Sequence, residues 1–395
     1  MIFAKGEIFT LTSLSLIFLI GFLLSSIFAK LKLPSFLGLL LTGVILGSFH
    51  LLGPSILSIS SELRQIALII ILARAGLSLD IKDLKKVGRP ALLMCFVPAV
   101  FEMIGVILIA PKLLGITVLE AAIMGSVLAA VSPAVIVPRM LHLMEHKIGT
   151  KKSIPQLIMA GASVDDVFVI VLFTSFIGLS EGTSFSVMSL VIIPVSIILG
   201  IGVGIVFGLM LTMLFKKIRI RDSLKIILFL GLSFALVSLE CVLPISALIG
   251  VMSMGATILA RYDTLAKRLS GKFTKLWVGA EILLFVLVGA SVDVSYAVTA
   301  GIGAVILILS ALIFRMAGVM LCLVKTKLNL LEKIFCVISY MPKATVQAAI
   351  GGIPLSMGLA CGNIVLTVSL VAILITAPIG AFLIDMFHKK LLQSE

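Results

Sequence analysis

The stretch Ala162-Ser163-Val164-Asp165-Asp166-Val167 sets two adjacent carboxylates in the middle of an apolar run from Pro155 to Leu179. A run of that length crosses a bilayer as a helix. One ionised carboxylate at the centre of such a helix costs about 3 kcal/mol, so an acidic pair there points to function before it points to packing. Adjacent helical residues project about 100° apart, so the two cannot share one water symmetrically as the carboxylates of an aspartic protease do. That geometry argues against an intramembrane protease, and the chain is read as a non-enzyme.

Working outward, the rest of the chain has the same character. Hydrophobic residues make up 61% of it and charged residues 12%, with a mean hydropathy of +1.31, which excludes a soluble domain and predicts an all-α polytopic membrane protein. Thirteen runs are long and apolar enough to span: 8–29, 35–53, 63–79, 91–111, 118–141, 155–179, 186–215, 224–240, 243–260, 276–292, 297–324, 333–353 and 363–387. The first lacks a small-residue cleavage site before Lys30 and is read as a retained helix. No loop is long enough for a soluble domain, and only His388 to Glu395 follow the last run, so no regulatory tail is expected.

The net charge of +13 could suggest nucleic acid, but the basic residues sit in short loops between apolar runs. They gather after the odd-numbered runs, as in Lys82, Lys85, Lys86 and Arg89, or Lys216, Lys217, Arg219 and Arg221, against only Lys5, Arg64 and Lys112 on the other side. Such an asymmetry predicts an outside N-terminus, a cytoplasmic C-terminus and an odd number of spans, with lipid rather than nucleic acid as the partner. The five cysteines, Cys95, Cys241, Cys322, Cys336 and Cys361, show neither metal nor disulfide spacing and are read as packing residues.

An internal repeat gives the arrangement. Ala75-Gly76-Leu77-Ser78-Leu79-Asp80 ends the third run and Val288-Gly289-Ala290-Ser291-Val292-Asp293 ends the tenth. Seven runs apart, the two copies have opposite orientation, as in inverted-repeat transporters. The same register pairs Glu102 with Arg315, two opposite intramembrane charges. The fifth and twelfth runs then each carry breakers in mid-span, Val131-Ser132-Pro133-Ala134-Val135-Ile136-Val137-Pro138 and Met341-Pro342-Lys343-Ala344-Thr345. Proline removes a backbone donor, so each is expected to unwind there, presenting carbonyls to a cation and amide ends to an anion.

These residues resemble the monovalent cation/proton antiporter superfamily. The combination of Val131 to Pro138, Ser163-Val164-Asp165-Asp166 and Met341-Pro342-Lys343-Ala344-Thr345-Val346-Gln347-Ala348 is most similar to the NHA-type sodium/proton antiporter branch of its double-aspartate group. Many double-aspartate relatives place in the eleventh helix a lysine that can pair with the first aspartate, where this chain has Arg315; the NHA branch is similar in having arginine with a glutamate in the fourth, here Glu102. The resemblance implies two broken helices that cross, and a homodimer to which the first helix contributes. It implies a transport bundle from 61–180 and 273–395, and scaffold helices from 1–60 and 181–272. It implies that Asp166, with Asp165 beside it, binds Na⁺ or Li⁺ and the proton. Ser132, Pro133, Lys343 and Thr345 would form the crossing, Lys343 offsetting the helix ends, and Glu102 with Arg315 a structural ion pair. No cofactor is implied beyond the transported ions.

The mechanism expected from this is competition. Sodium bound at Asp166 expels the proton, and a bundle that crosses only when loaded turns that competition into exchange. Oxygen ligands suit a hard alkali ion. Arginine does not release its proton, so Arg315 is not a proton carrier, and one proton per sodium, electroneutral exchange, is expected. The competing functions are a cation channel, a K⁺/H⁺ antiporter and an organic-anion symporter on a similar crossed-helix fold. Arg74 is read as snorkelling, Asp80 and Asp293 either collect cations or cap helices, and His142 and His146 around Glu145 either sense pH or are simply solvated. Short termini suit a bacterial inner membrane.

Overall fold

The computed structural model describes residues 10–31, 33–78, 88–181, 187–218, 220–240, 242–243, 245–291 and 294–393. Asp80, Asp293, Cys241, Lys5, Arg219 and the loop residues Lys82, Lys85 and Lys86, all given roles above, lie outside them. The described residues are helical, with α1 Thr10–Lys30, α2 Ser35–Ser48, α3 Pro54–Ser58, α4 Ser60–Ser78, α5 Arg89–Met94 and α6 Val97–Leu114. There follow α7 Val118–Leu128, α8 Pro133–Glu145, α9 Ile154–Glu181, α10 Val187–Lys217, α11 Asp222–Glu240, α12 Ala247–Arg261 and α13 Asp263–Ala290. The chain closes with α14 Val294–Cys322, α15 Leu330–Ser339, α16 Thr345–Ile350, α17 Ile353–Ser356 and α18 Gly362–Leu391.

Helices fall on all thirteen apolar runs, and eight stretches among the described residues are individually long and apolar enough to cross a membrane. Differences from the sequence reading have local causes. The fourth run is two helices, parted at Cys95 and Phe96 just before Pro98, which has no N–H to continue the ladder. The tenth begins thirteen residues early, at Asp263, because an apolar-run criterion stops at Lys267, Arg268, Lys272 and Lys275 whereas helix propensity does not. The fifth and twelfth runs are each split, α7 from α8 and α15 from α16, at the proline segments. Both upstream halves start from a capping box, Thr117 with Glu120 and Asn329 with Glu332, which satisfies two otherwise orphaned N–H groups at each start.

The chain forms two compact units, one of residues 1–64, 83–173 and 282–395, the other of 65–82 and 174–281. In the first, Phe36 stacks on Phe285 with ring centroids 5.1 Å apart, and α2 meets α13 where Gly43 and Gly289 lack side chains. A Cβ on Gly43 would strike the Val286 carbonyl, and one on Gly289 the Leu40 carbonyl. In the second, Gly200, Gly204 and Gly208 recur every fourth residue on α10, so they form one stripe. A Cβ on them would meet the backbone of Ser246, which precedes α12, and of Gly250 and Met254 on it. In lipid, where apolar surface gains nothing by leaving water, such close backbone approach supplies the packing that holds helices together. Gly204→Leu is expected to part α10 from α12 and cost about 1–3 kcal/mol, read as a lower melting temperature in detergent. An unchanged melting temperature would mean that the stripe is not what holds this pair.

Candidate functional site

The site is built where the two split helices meet. The last carbonyls of α7 have no helical N–H to accept from, because the chain leaves helical geometry before Ser132. Side chains from the other crossing segment supply the donors. Lys343 Nζ donates to the Leu128 carbonyl at 2.5 Å, and Gln347 Nε2 donates to those of Ala130 at 2.8 Å, Val127 at 3.2 Å and Leu128 at 3.3 Å. Arg315 Nη1 donates to the Ala129 carbonyl. The two unwound segments also touch directly, the Ser132 N–H donating to the Pro342 carbonyl at 2.8 Å. The Lys343 N–H donates to Thr376 Oγ1 at 3.0 Å, which ties the second crossing segment to α18. The α7 carbonyls expected to face a cation are therefore taken by these cationic and amide donors.

Around this crossing stands a network of four buried charges. Arg315 on α14 is 1% exposed. It donates from Nε to the Tyr340 carbonyl at 2.7 Å, from Nη1 to Glu102 Oε2 at 2.9 Å and from Nη2 to Asp165 Oδ2 at 2.9 Å. Only a planar fork of donors serves three acceptors in this way. Lys343 Nζ lies 2.7 Å from the other Glu102 oxygen, so that one glutamate bridges both cations. Asp165 Oδ2 also accepts the Val131 N–H at 2.8 Å, which fixes α9 to the start of the unwound segment.

Asp166 is set apart from this network. Among the described residues it has no ion pair, and its buried Oδ1 has no hydrogen-bond partner. Ser132 Oγ and Thr345 Oγ1 are likewise buried without partners, as is Asp165 Oδ1. The cluster thus holds three carboxylates, Glu102, Asp165 and Asp166, against two cations, Arg315 and Lys343. With every group ionised, one negative charge is left over, and Asp166 is the carboxylate of the three without an ion pair among the described residues.

Residues 14–390 match the transmembrane sodium/hydrogen exchanger family. The chain belongs to that family. Among its relatives, human sodium/hydrogen exchanger 9B2 is 34% identical over 380 residues, covering 91% of this chain and 70% of that one. Human sodium/hydrogen exchanger 9B1 is 32% identical over 381 residues, with 91% and 73% covered. The solved structure of the sodium proton antiporter MjNhaP1 from Methanocaldococcus jannaschii has a TM-score of 0.83 across 97% of this chain and 98% of that one. At 20% identity it is a likeness of fold.

In this exchanger-family chain most of the singled-out site residues lie at the crossing, with Asp166 next to Asp165 in sequence but outside the ion-pair network. Asp165, Glu102, Arg315 and Lys343 share one network, Ser132 and Pro133 begin α8, and Thr345 begins α16. Arg315 does more than the expected pairing with Glu102, since it also holds Asp165. Three contacts were not singled out from the sequence. Gln347 lies inside the quoted motif without a role, although an amide two residues past a broken-helix threonine is a natural donor to free carbonyls. Thr376 gives no signal. Glu281, which interacts electrostatically with Arg74 in the second unit, is an acidic residue in a long apolar stretch, so its hydropathy contrast could have found it.

Proposed function

We propose that this protein is an integral membrane antiporter that exchanges Na⁺ or Li⁺ for H⁺ by competition at Asp166, with alternating access and without net charge movement. The carrying observation is the uncompensated carboxylate. A cluster of two fixed cations and three carboxylates needs one further positive charge to be neutral, and either a sodium ion or a proton supplies it. An unneutralised charge in a low-dielectric interior is expensive, so the empty cluster resists the crossing that both loaded forms allow. One cation equivalent in each direction gives one proton per sodium. Potassium in place of sodium would satisfy the same charge count.

Asp165 is the positioning carboxylate in this reading, its oxygen occupied by Arg315 and the Val131 N–H, while its free oxygen and those of Ser132 and Thr345 are the remaining hard donors for the ion. The register that equates Glu102 with Arg315 also places them in direct contact 213 positions apart, as residues on a pseudo-two-fold axis would be, which supports the inverted repeat. Residues 61–180 and 273–395 would move as the transport bundle against a scaffold of 1–60 and 181–272. The molecule would be a homodimer using the lipid-exposed apolar face of α1, where Leu11, Leu19 and Phe22 are among the most exposed apolar side chains. It would lie in a cell membrane, such as a bacterial inner membrane, with the N-terminus outside and the C-terminus in the cytoplasm.

The test is cation-induced proton movement in proteoliposomes carrying a pH gradient. Sodium is expected to dissipate the gradient at a rate that clamping or imposing a membrane potential leaves unchanged. A rate that follows the potential would overturn the one-for-one stoichiometry, and proton movement without dependence on any alkali cation would replace the antiporter with a channel.

A further inference from the structure

The broken helix α8 ends in His142-Leu143-Met144-Glu145-His146, and no step of the exchange uses these side chains. Spacings of three and four residues put all three on one helical face. The same H-x-x-E-H spacing offers two imidazoles to zinc in one class of metalloenzyme. In this structure the ligand atoms of His142, Glu145 and His146 all lie within 4.8 Å of one another. The two rings are 4.2 Å apart at their centroids.

A second observation points the same way. His146 Nδ1 lies 2.9 Å from the His142 carbonyl, an atom that can only accept, so the proton sits on Nδ1 and Nε2 is left as a lone-pair donor. Tying one imidazole nitrogen to a carbonyl is how proteins orient a histidine that binds metal through the other. The helix also ends here, and the negative end of its dipole favours a cation. His142 also lines a cavity of about 280 Å³ together with Arg139 and, from α18, Asp385 and His388.

We propose that His142, Glu145 and His146 form a binding site for a transition-metal dication of the Zn²⁺ class. Two imidazoles and one carboxylate suit that class rather than Mg²⁺ or Ca²⁺, which prefer all-oxygen shells. Tetrahedral zinc holds its ligand atoms about 3.3 Å apart at bond lengths near 2.0 Å. Closing from 4.8 Å to that spacing asks rotamer changes of the exposed His142 and Glu145 side chains while His146 keeps its bond to the His142 carbonyl. The fourth position is open to water. An occupied site would staple the last turn of the half-helix whose first turn lies at the crossing.

The test uses the full-length protein in detergent, stripped with a chelator and titrated with Zn²⁺ against a chromophoric competitor, so transport does not enter the readout. One tight equivalent per chain is expected. The double variant His142→Ala, His146→Ala should lose at least about tenfold in affinity with its melting temperature unchanged, and His50→Ala, far along the chain beyond α2, should bind as the wild type does. Co²⁺ should give visible absorption bands of a four-coordinate ion that the double variant lacks. Equal zinc affinity in the wild type and the double variant, or no tight equivalent in the wild type, overturns the proposal whatever the fate of the exchange reading.

Discussion

Arg315→Ala is expected to give a protein that reaches the membrane poorly and, when purified, melts well below the wild type. Removing one partner of a buried ion pair costs about 3–5 kcal/mol because the other charge is left unpaired in a low-dielectric interior. Here the loss is compound. Asp165 loses its ion pair, Glu102 keeps Lys343, and the Ala129 and Tyr340 carbonyls lose this donor. Since whole domains are held by about 5–15 kcal/mol, this one substitution removes a large part of the margin. Arg315→Lys separates charge from geometry. It keeps the count of charges, but a single ammonium cannot reach Glu102, Asp165 and the Tyr340 carbonyl together. It should melt between the other two. Fluorescence-detected size exclusion after a heating series reads all three. A melting temperature for Arg315→Ala equal to that of the wild type would mean that the broken helices are held by packing alone.

The ease with which this network can be approached from the sequence is uneven, for physical reasons. The spans follow directly, because lipid allows no exposed backbone and so enforces long apolar runs. Where a run is interrupted the outcome turns on local chemistry. Pro133 and Pro342 announce the unwound segments at the crossing, although α8 runs through Pro138 unbroken, whereas the break at Cys95 and Phe96 depends on Pro98 inside a segment that reads as continuous. The charged pair Glu102 and Arg315 emerges from the repeat register, since two opposite charges at equivalent positions are a strong constraint. That Arg315 also holds Asp165 is not legible from the register, which does not say which of two acidic neighbours turns toward the arginine; only the resemblance, which puts at this position a cation able to pair with the first aspartate, points to it. Gln347 and Thr376 are invisible for a related reason. Their partners are backbone atoms, the carbonyls of Val127, Leu128 and Ala130 and the N–H of Lys343, and backbone atoms have no letter in the sequence.

Asp166→Asn tests the charge count itself. Asparagine keeps the size and one carbonyl oxygen but removes the charge, so Glu102 and Asp165 then balance Arg315 and Lys343 with nothing left over. The cluster is neutral without sodium and without a proton. Two results follow with opposite signs. Sodium-dependent proton movement in proteoliposomes should fall to the background of protein-free vesicles, because no site remains at which the two cations exclude each other. Stability should not fall, because the substitution removes a carboxylate with a buried, unpartnered oxygen and breaks no ion pair among the described residues. The same variant should also lose any thermal stabilisation by sodium. A ligand at a hundred times its dissociation constant stabilises by about 2.7 kcal/mol, an effect that requires the binding site to exist. Asp165→Asn makes the contrast, since it weakens the contacts to Arg315 and the Val131 N–H and should melt lower than the wild type. Exchange that survives in Asp166→Asn, or sodium stabilisation that survives there, would move the site away from Asp166. The spare charge would then have to be assigned to Glu102 or Asp165, and an ion pair would have to open on every transport cycle.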